Sequence, residues 1–212
     1  MKGKKAANIA EEIASLIGRG ILHPGERLVE AVLIEKFQCS RAMVRDALLM
    51  LERDGLVEKI PNIGAAVRNF TKEEIHELYD VIYRLEEMAM EKAASRGTEQ
   101  DFTTLEEILE EQQVAATAND IHSYYELNEK YHLEIFNIAG NRTLVGIYKS
   151  LRMSVRPFRL LVMGQGNNLQ SSCLEHRKQV EALRSNNLRD ARYAIRQQEI
   201  RSLKSLDVLF PE

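Results

Sequence analysis

Arg41 and Arg45 stand four residues apart in the stretch Ser40-Arg41-Ala42-Met43-Val44-Arg45-Asp46-Ala47-Leu48-Leu49-Met50-Leu51. On a helix that spacing puts both guanidinium groups on one face. Val44, Ala47, Leu48 and Leu51 fall at i, i+3, i+4 and i+7, an apolar stripe that must face a core and leaves the two arginines outside it. Ser40 is a favoured N-cap, since its hydroxyl can accept from a backbone N–H that opens a helix. Two arginines near the start of such a helix suit base edges and phosphates in the major groove of DNA. An ordinary amphipathic helix with solvated arginines is the bland alternative.

A second set of residues is polar where the pattern calls for apolar ones. On the segment Ile121 to Ala139 the inward stripe runs Ile121, Tyr124/Tyr125, Asn128, His132, Ile135/Phe136 and Ala139. His176 shares a stripe with Cys173, Val180 and Leu183, and Gln198 shares one with Ala191, Ala194, Ile195 and Ser202. Burying an unpaired polar group costs roughly 2–7 kcal/mol, so these four side chains need partners. A shared polar cavity is the economical explanation.

The elements that must position the arginines are legible on both sides of them. Ile9, Ile13, Leu16 and Ile17 recur at helical spacing and end at Gly18 and Gly20; Pro24-Gly25 marks a turn. A second short helix follows Leu28 and Val29, with Val32, Leu33 and Phe37 expected inward, and only Gln38-Cys39 separates it from Ser40. Two helices joined by so tight a turn read as a helix-turn-helix. Leu56 to Ile60 and Ala65 to Phe70 flank a turn at Pro61-Asn62-Ile63-Gly64, a hairpin or wing whose Lys59, Asn62 and Arg68 could reach the DNA backbone or minor groove. A solvated hairpin surface is the alternative.

These residues, from Ile13 to Ile17 through Gly20-Ile21-Leu22-His23-Pro24-Gly25-Glu26-Arg27-Leu28-Val29-Glu30, Ser40 to Leu48, Leu51 to Val57 and Gly64, resemble the winged-helix domain of GntR-family transcriptional regulators. The resemblance implies that Arg41 and Arg45 are the chief DNA contacts, with Glu30 at the start of the second helix and Gly64 at the wing tip. Ser40, Ala42 and Met43 share that end of the helix. Ala42 or Met43 stands where a proline or threonine is more usual, and Val32 replaces a usual polar residue, which bears on the operator read.

From Thr71 the strand signals vanish. Thr71 with Glu74 forms a capping box, and helical periodicity runs from there to Arg96-Gly97. Further helical segments span about Glu99 to Thr117, Ile121 to Ala139, Thr143 to Val155 (ahead of Pro157), Leu169 to Ser185 and Leu188 to Leu206. The arrangement of polar residues on them is similar to the FCD effector domain of the FadR subfamily. In that domain an Asp or Asn four residues before a histidine, with further histidines on the last two helices, binds a divalent metal. By that resemblance Asn128, His132 and His176 are metal-ligand positions for zinc or nickel, and Gln198 stands where the last histidine belongs. Two histidines, Asn and Gln supply no negative charge, so a metal-free polar cavity holding a ligand or water is the competing reading. Arg84 matches a position that commonly points into the effector cavity and would bind a carboxylate bidentately; its alternative is a surface salt bridge with Asp80 or Glu87.

The 212-residue chain carries 29 Lys+Arg against 32 Asp+Glu, net −3. Residues 1–70 hold 11 and 9 of these, leaving 18 and 23 for the remainder, so a mildly basic segment precedes an acidic one. Cys39 and Cys173 belong to no CxxC or Cys/His cluster. No apolar run approaches ~18 residues, and Met1-Lys2-Gly3-Lys4-Lys5 leads into polar Asn8, Glu11 and Glu12, so no membrane partner and a cytoplasmic location are expected.

The fold expected is mainly α: a winged helix-turn-helix over 1–70 and an all-helical, effector-binding and dimerising domain of six or seven helices over 71–212. The function expected is ligand-responsive regulation of transcription, by a homodimer on a palindromic operator, with a small organic acid as effector and Arg84, Asn128, His132, His176 and Gln198 around it. A metal-dependent helical enzyme with an appended winged helix is the second reading, but no Gly-rich phosphate loop, nucleophile elbow or HExxH motif supports it. An architectural DNA protein without a ligand leaves the inward polar set unexplained.

Overall fold

A computed structural model describes residues 2–18, 21–61 and 63–209. Gly20 and Asn62 lie outside the described residues. Among those described there are nine helices and three strands: α1 (Lys2–Gly18), β1 (Arg27–Leu28), α2 (Glu30–Phe37), α3 (Arg41–Arg53), β2 (Val57–Ile60), β3 (Gly64–Val67), α4 (Lys72–Arg96), α5 (Glu99–Thr117), α6 (Ile121–Ala139), α7 (Arg142–Met163), α8 (Asn168–Arg184) and α9 (Leu188–Leu209). They form two compact units, Met1–Glu74 with Ser150–Arg159, and Ile75–Lys149 with Leu160–Glu212.

In the first unit α1 packs against α3, and Ile9, Ile13, Ala14 and Ile17 meet Val44, Ala47, Leu48 and Leu51 in one buried core. Full burial of a side chain of this size stabilises by about 1.5–3 kcal/mol, which is why the stripe on α3 dictates its orientation. Leu33, Leu56, Val57 and Val67 close the core. The sheet order is β1-β3-β2, antiparallel throughout, with Lys59 opposite Ala65 and Ile60 opposite Gly64. The strand β1 was not expected: two residues are too few for a periodic signal, and it exists because β3 offers an edge to pair with. Val32 is corrected from inward to outward, being 59% exposed. The buried or half-buried face of α2 is Leu33, Ile34 and Phe37, so Val32 falls on the next face round.

The second unit is built from α4, α5, α6, α8, α9 and the two ends of α7. Its helix starts are set by side-chain caps. Thr98 and Asp101 form a reciprocal capping box, Asp120 accepts from Ser123 N at 3.1 Å and Asn141 from Leu144 N at 3.1 Å. The expected Thr71–Glu74 box at the head of α4 is present, with Thr71 N donating to Glu74 Oε2 at 2.9 Å and Glu74 N to Thr71 Oγ1 at 3.2 Å. Gly140, in the left-handed region at φ 64, ends α6.

One boundary differs. The proline at 157 was expected to stop the helix near Val155, yet α7 runs on to Met163. An interior proline removes one backbone hydrogen bond and costs about 3 kcal/mol. Burial of Val155, Phe158, Val162 and Met163 on the same helix offsets that cost.

Candidate nucleic-acid interface and buried polar cluster

The turn between α2 and α3 is made by Gln38 in the left-handed region at φ 48, followed by Cys39 and Ser40. Ser40 is the N-cap of α3, its hydroxyl accepting from Met43 N at 3.4 Å. Arg41 and Arg45 then project from the first turns with side chains 68% and 61% exposed. Both reach the same acid: Glu30 Oε1 lies 2.9 Å from Arg45 Nε and Glu30 Oε2 lies 3.7 Å from Arg41 Nε. The carboxylate meets both arginines on the Nε side while their side chains stay more than half exposed, and the terminal NH groups are the fork that can match guanine O6/N7 or a phosphate.

Ser40 and Ala42 are exposed beside the arginines, whereas Met43 is half-buried against the core and forms the rim of the site. Lys59 on β2 and Gly64 at the turn into β3 are both exposed. Gly64 holds φ +102, a conformation that side-chain-bearing residues rarely adopt. Arg68 is engaged elsewhere, donating to Glu74 Oε1 at 2.8 Å and lying 4.2 Å over the ring of Phe70.

In the helical unit, Asn128, His132, His176 and Gln198 are all buried, at 0–2% exposure. They are joined by residues the sequence reading did not single out. Tyr131 OH donates to Gln179 Oε1 at 3.0 Å, Gln179 Nε2 to Gln198 Oε1 at 2.9 Å, and Gln198 Nε2 lies 3.4 Å from His176 Nε2. His176 Nδ1 lies 2.9 Å from Gln112 Oε1, and Tyr131 stacks on the His176 ring with centroids 4.3 Å apart. Because Gln112 presents its carbonyl, His176 carries its proton on Nδ1, and Nε2 accepts from Gln198 and, at 3.5 Å, from Ser172 Oγ. Burial pushes the phenols of Tyr83 and Tyr131 well above their ordinary range, with the charge of Glu86 adding to it, so both act as donors.

Glu86 adds an acidic side chain beside these four. It is 3% exposed, accepts from Tyr148 OH at 3.0 Å and lies 3.3 Å from His132 Nδ1. A helical wheel could have flagged it, since it falls four after Ile82 and seven after Tyr79 on the inward stripe of α4. Gln112 likewise continues the stripe of Leu105, Ile108 and Leu109.

Arg84, expected in the same cavity, is not there. It lies half-exposed between Glu87, at 3.1 Å, and Asp80, at 3.5 Å. The stripe of α4 that enters the core carries Ile82, Tyr83, Glu86 and Ala89, and Arg84 is on another face.

Several of the candidate donors are taken up within the protein. Both ring nitrogens of His176 are engaged by neutral amide and hydroxyl groups, Nδ1 of His132 faces Glu86, and Gln198 spends its carbonyl on Gln179. Among the described residues no three His, Cys, Asp or Glu side chains are grouped to hold an ion. Asn128, His132 and His176 as ligands of a divalent metal remain a proposal, carried by the resemblance to the FCD domain. A void of about 10 Å³ beside Glu86, His132 and Gln179 is the size of a water site, too small for an organic acid.

The family model of the FCD domain matches residues 77–198, and that of "Bacterial regulatory proteins, gntR family" matches residues 5–67. The chain belongs to the GntR family, with an FCD domain. Its relatives include the HTH-type transcriptional regulator YdhC of Bacillus subtilis, 27% identical over 83% of this chain and 79% of that protein. The gluconate operon transcriptional repressor of Bacillus licheniformis is 26% identical over 76% of this chain and 66% of that protein. Among solved structures, Escherichia coli McbR/YncC superposes with a TM-score of 0.83 at 22% identity, covering 97% of this chain and 98% of that one, a likeness of fold. This GntR-family chain is a DNA-binding regulator of transcription and not an enzyme. Among the described residues no helix is long and apolar enough to cross a membrane.

Proposed function

We propose that this regulator represses transcription by reading a palindromic operator as a homodimer, through α3 and the wing, under the control of a small polar effector. The domain division proposed is 1–70 for DNA and 71–212 for effector and dimerisation. The observation that carries the reading is the pair of exposed arginines, Arg41 and Arg45, oriented by one carboxylate at the N-terminal end of a helix whose other face is buried. One such helix contacts only a few base pairs, so a two-fold pair with half-sites one turn apart is needed for specificity. Ser40, Ala42, Lys59, Asn62 and Gly64 complete the proposed interface, with Met43 at its rim.

The effector is proposed to be read by amides and an imidazole: Gln112, Asn128, His132, His176 and Gln198. Gln112 Nε2 is buried and finds no acceptor among the described residues, which leaves a donor for an oxygen of a bound molecule. With Arg84 outside the cluster and Glu86 inside it, a simple carboxylate loses its proposed partner, and a hydroxylated or amide-bearing molecule fits the donors better. Entry requires the closed cluster to open, so the effector acts by preferring an opened state.

The test is selection of bound duplexes from genomic DNA, followed by titration of the recovered duplex with wild type and Arg45→Ala. A palindromic site and a loss of about 1–3 kcal/mol in the variant are expected. Equal binding by both proteins would mean that the DNA-reading face lies elsewhere.

A further inference from the structure

Ser150–Arg159, the middle of α7, belongs to the N-terminal unit although some eighty residues separate it from the wing. Ser154, 9% exposed, donates from Oγ to the main-chain carbonyl of Asp54 at 2.7 Å. Asp54 is the C-cap of α3, and carbonyls at the end of a helix have no partner within it. The chain then turns at Gly55, φ +74, passing so close that a Cβ there would stand 3.0 Å from Ser154 Oγ.

Two more contacts come from the same segment. Phe158 meets Phe70 edge-on, ring centroids 5.3 Å apart at 89°, and Phe70 lies just beyond β3. Met153 packs against the core that contains Leu51 and Leu56. Ser154 and Phe158 are four apart and so share one face of α7. The same helix continues at both ends, residues 142–149 and 160–163, in the other unit.

We propose that Ser154 and Phe158 are positioning residues for DNA reading. Ser154 caps the recognition helix from a hundred residues downstream, and Phe158 seats the segment that leaves the wing. Together they set the angle at which α3 presents Arg41 and Arg45. The inference rests on the reading of α3 as the DNA-contacting helix.

The test uses the full chain, with Ser154→Ala and Phe158→Leu, hydrogen exchange followed by mass spectrometry, and titration of the selected duplex and a scrambled one. Loss of one net hydrogen bond corresponds to about a fivefold change. Ser154→Ala should raise exchange by about fivefold at residues 53–57 while peptides of α5 and α6 keep wild-type rates. Operator affinity should fall about three- to tenfold with affinity for scrambled DNA unchanged, since a tilted helix loses base contacts before phosphate contacts. Phe158→Leu should act in the same direction, with exchange rising at residues 68–71.

Wild-type exchange at 53–57 in Ser154→Ala, or a rise spread evenly over the whole chain, would overturn the proposal, as would an unchanged ratio of operator to scrambled affinity in both variants. A wild-type chain that binds neither duplex would instead remove the DNA-reading premise, and the exchange comparison would still decide whether Ser154 caps α3.

Discussion

Glu30, the first residue of α2, holds Arg45 on α3 by its Nε at 2.9 Å and stands 3.7 Å from Arg41 Nε. The arginine side chains are more than half exposed, so the ion pairs themselves contribute only about 0–1 kcal/mol to stability. On the proposed reading of α3, their consequence is orientation, and a negative charge placed beside the DNA backbone. Glu30→Gln should leave the melting temperature unchanged, strengthen binding to scrambled DNA and lower the operator-to-scrambled ratio about three- to tenfold. Anisotropy titrations of both duplexes over a salt series check this. If both affinities rise equally, Glu30 acts only by repelling phosphates.

Glu86 sits in the helical unit with Tyr148 and His132 as neighbours and almost no solvent. Removing one partner so that a buried polar group is left unsatisfied costs about 1–3 kcal/mol, all of it from the group left behind. Glu86→Leu should therefore destabilise the helical unit by that order, and Glu86→Gln, which keeps an acceptor for Tyr148, by distinctly less. Urea unfolding followed by far-UV circular dichroism measures both. Equal loss in the two variants would assign the cost to packing and not to the polar pair.

Acid stability is tied to the helix caps. The Thr71 backbone N–H and the Arg68 guanidinium hold the Glu74 carboxyl below its ordinary value, and the Thr98 backbone N–H does the same for Asp101. A carboxylate with a lower folded than unfolded pKa stabilises the fold above the unfolded value and loses that contribution as pH falls through the folded one. The melting temperature should thus fall between about pH 5 and about pH 3, and less steeply in Glu74→Gln, which has nothing to titrate at that cap. Parallel pH profiles for wild type and variant would count against this assignment.

The helix proposed to read DNA, α3, was largely legible as a helix in the sequence because its signals are local. Ser40, the stripe from Val44 to Leu51 and the two arginines lie within twelve residues, and helical geometry alone puts them on their faces. The inward placement of Asn128, His132, His176 and Gln198 was legible for the same reason: each lies on a stripe whose other members are apolar. For Arg84 the cavity position came from a resemblance, while its own neighbours at i+3 and i−4, Glu87 and Asp80, offered the surface ion pairs in which the structure places it.

Periodicity thus determined which elements this chain forms and which side chains turn inward, since both follow from local backbone geometry and the cost of exposing apolar surface. Partnership was decided only by the tertiary structure. That Glu86 meets His132, that Gln112 and Gln198 occupy the two ring nitrogens of His176, and that Ser154 closes α3 are contacts between residues 22 to 100 positions apart. Such pairs leave no periodic trace, because a side chain's need for a partner is written in its chemistry, while the partner's identity depends on which helices pack together.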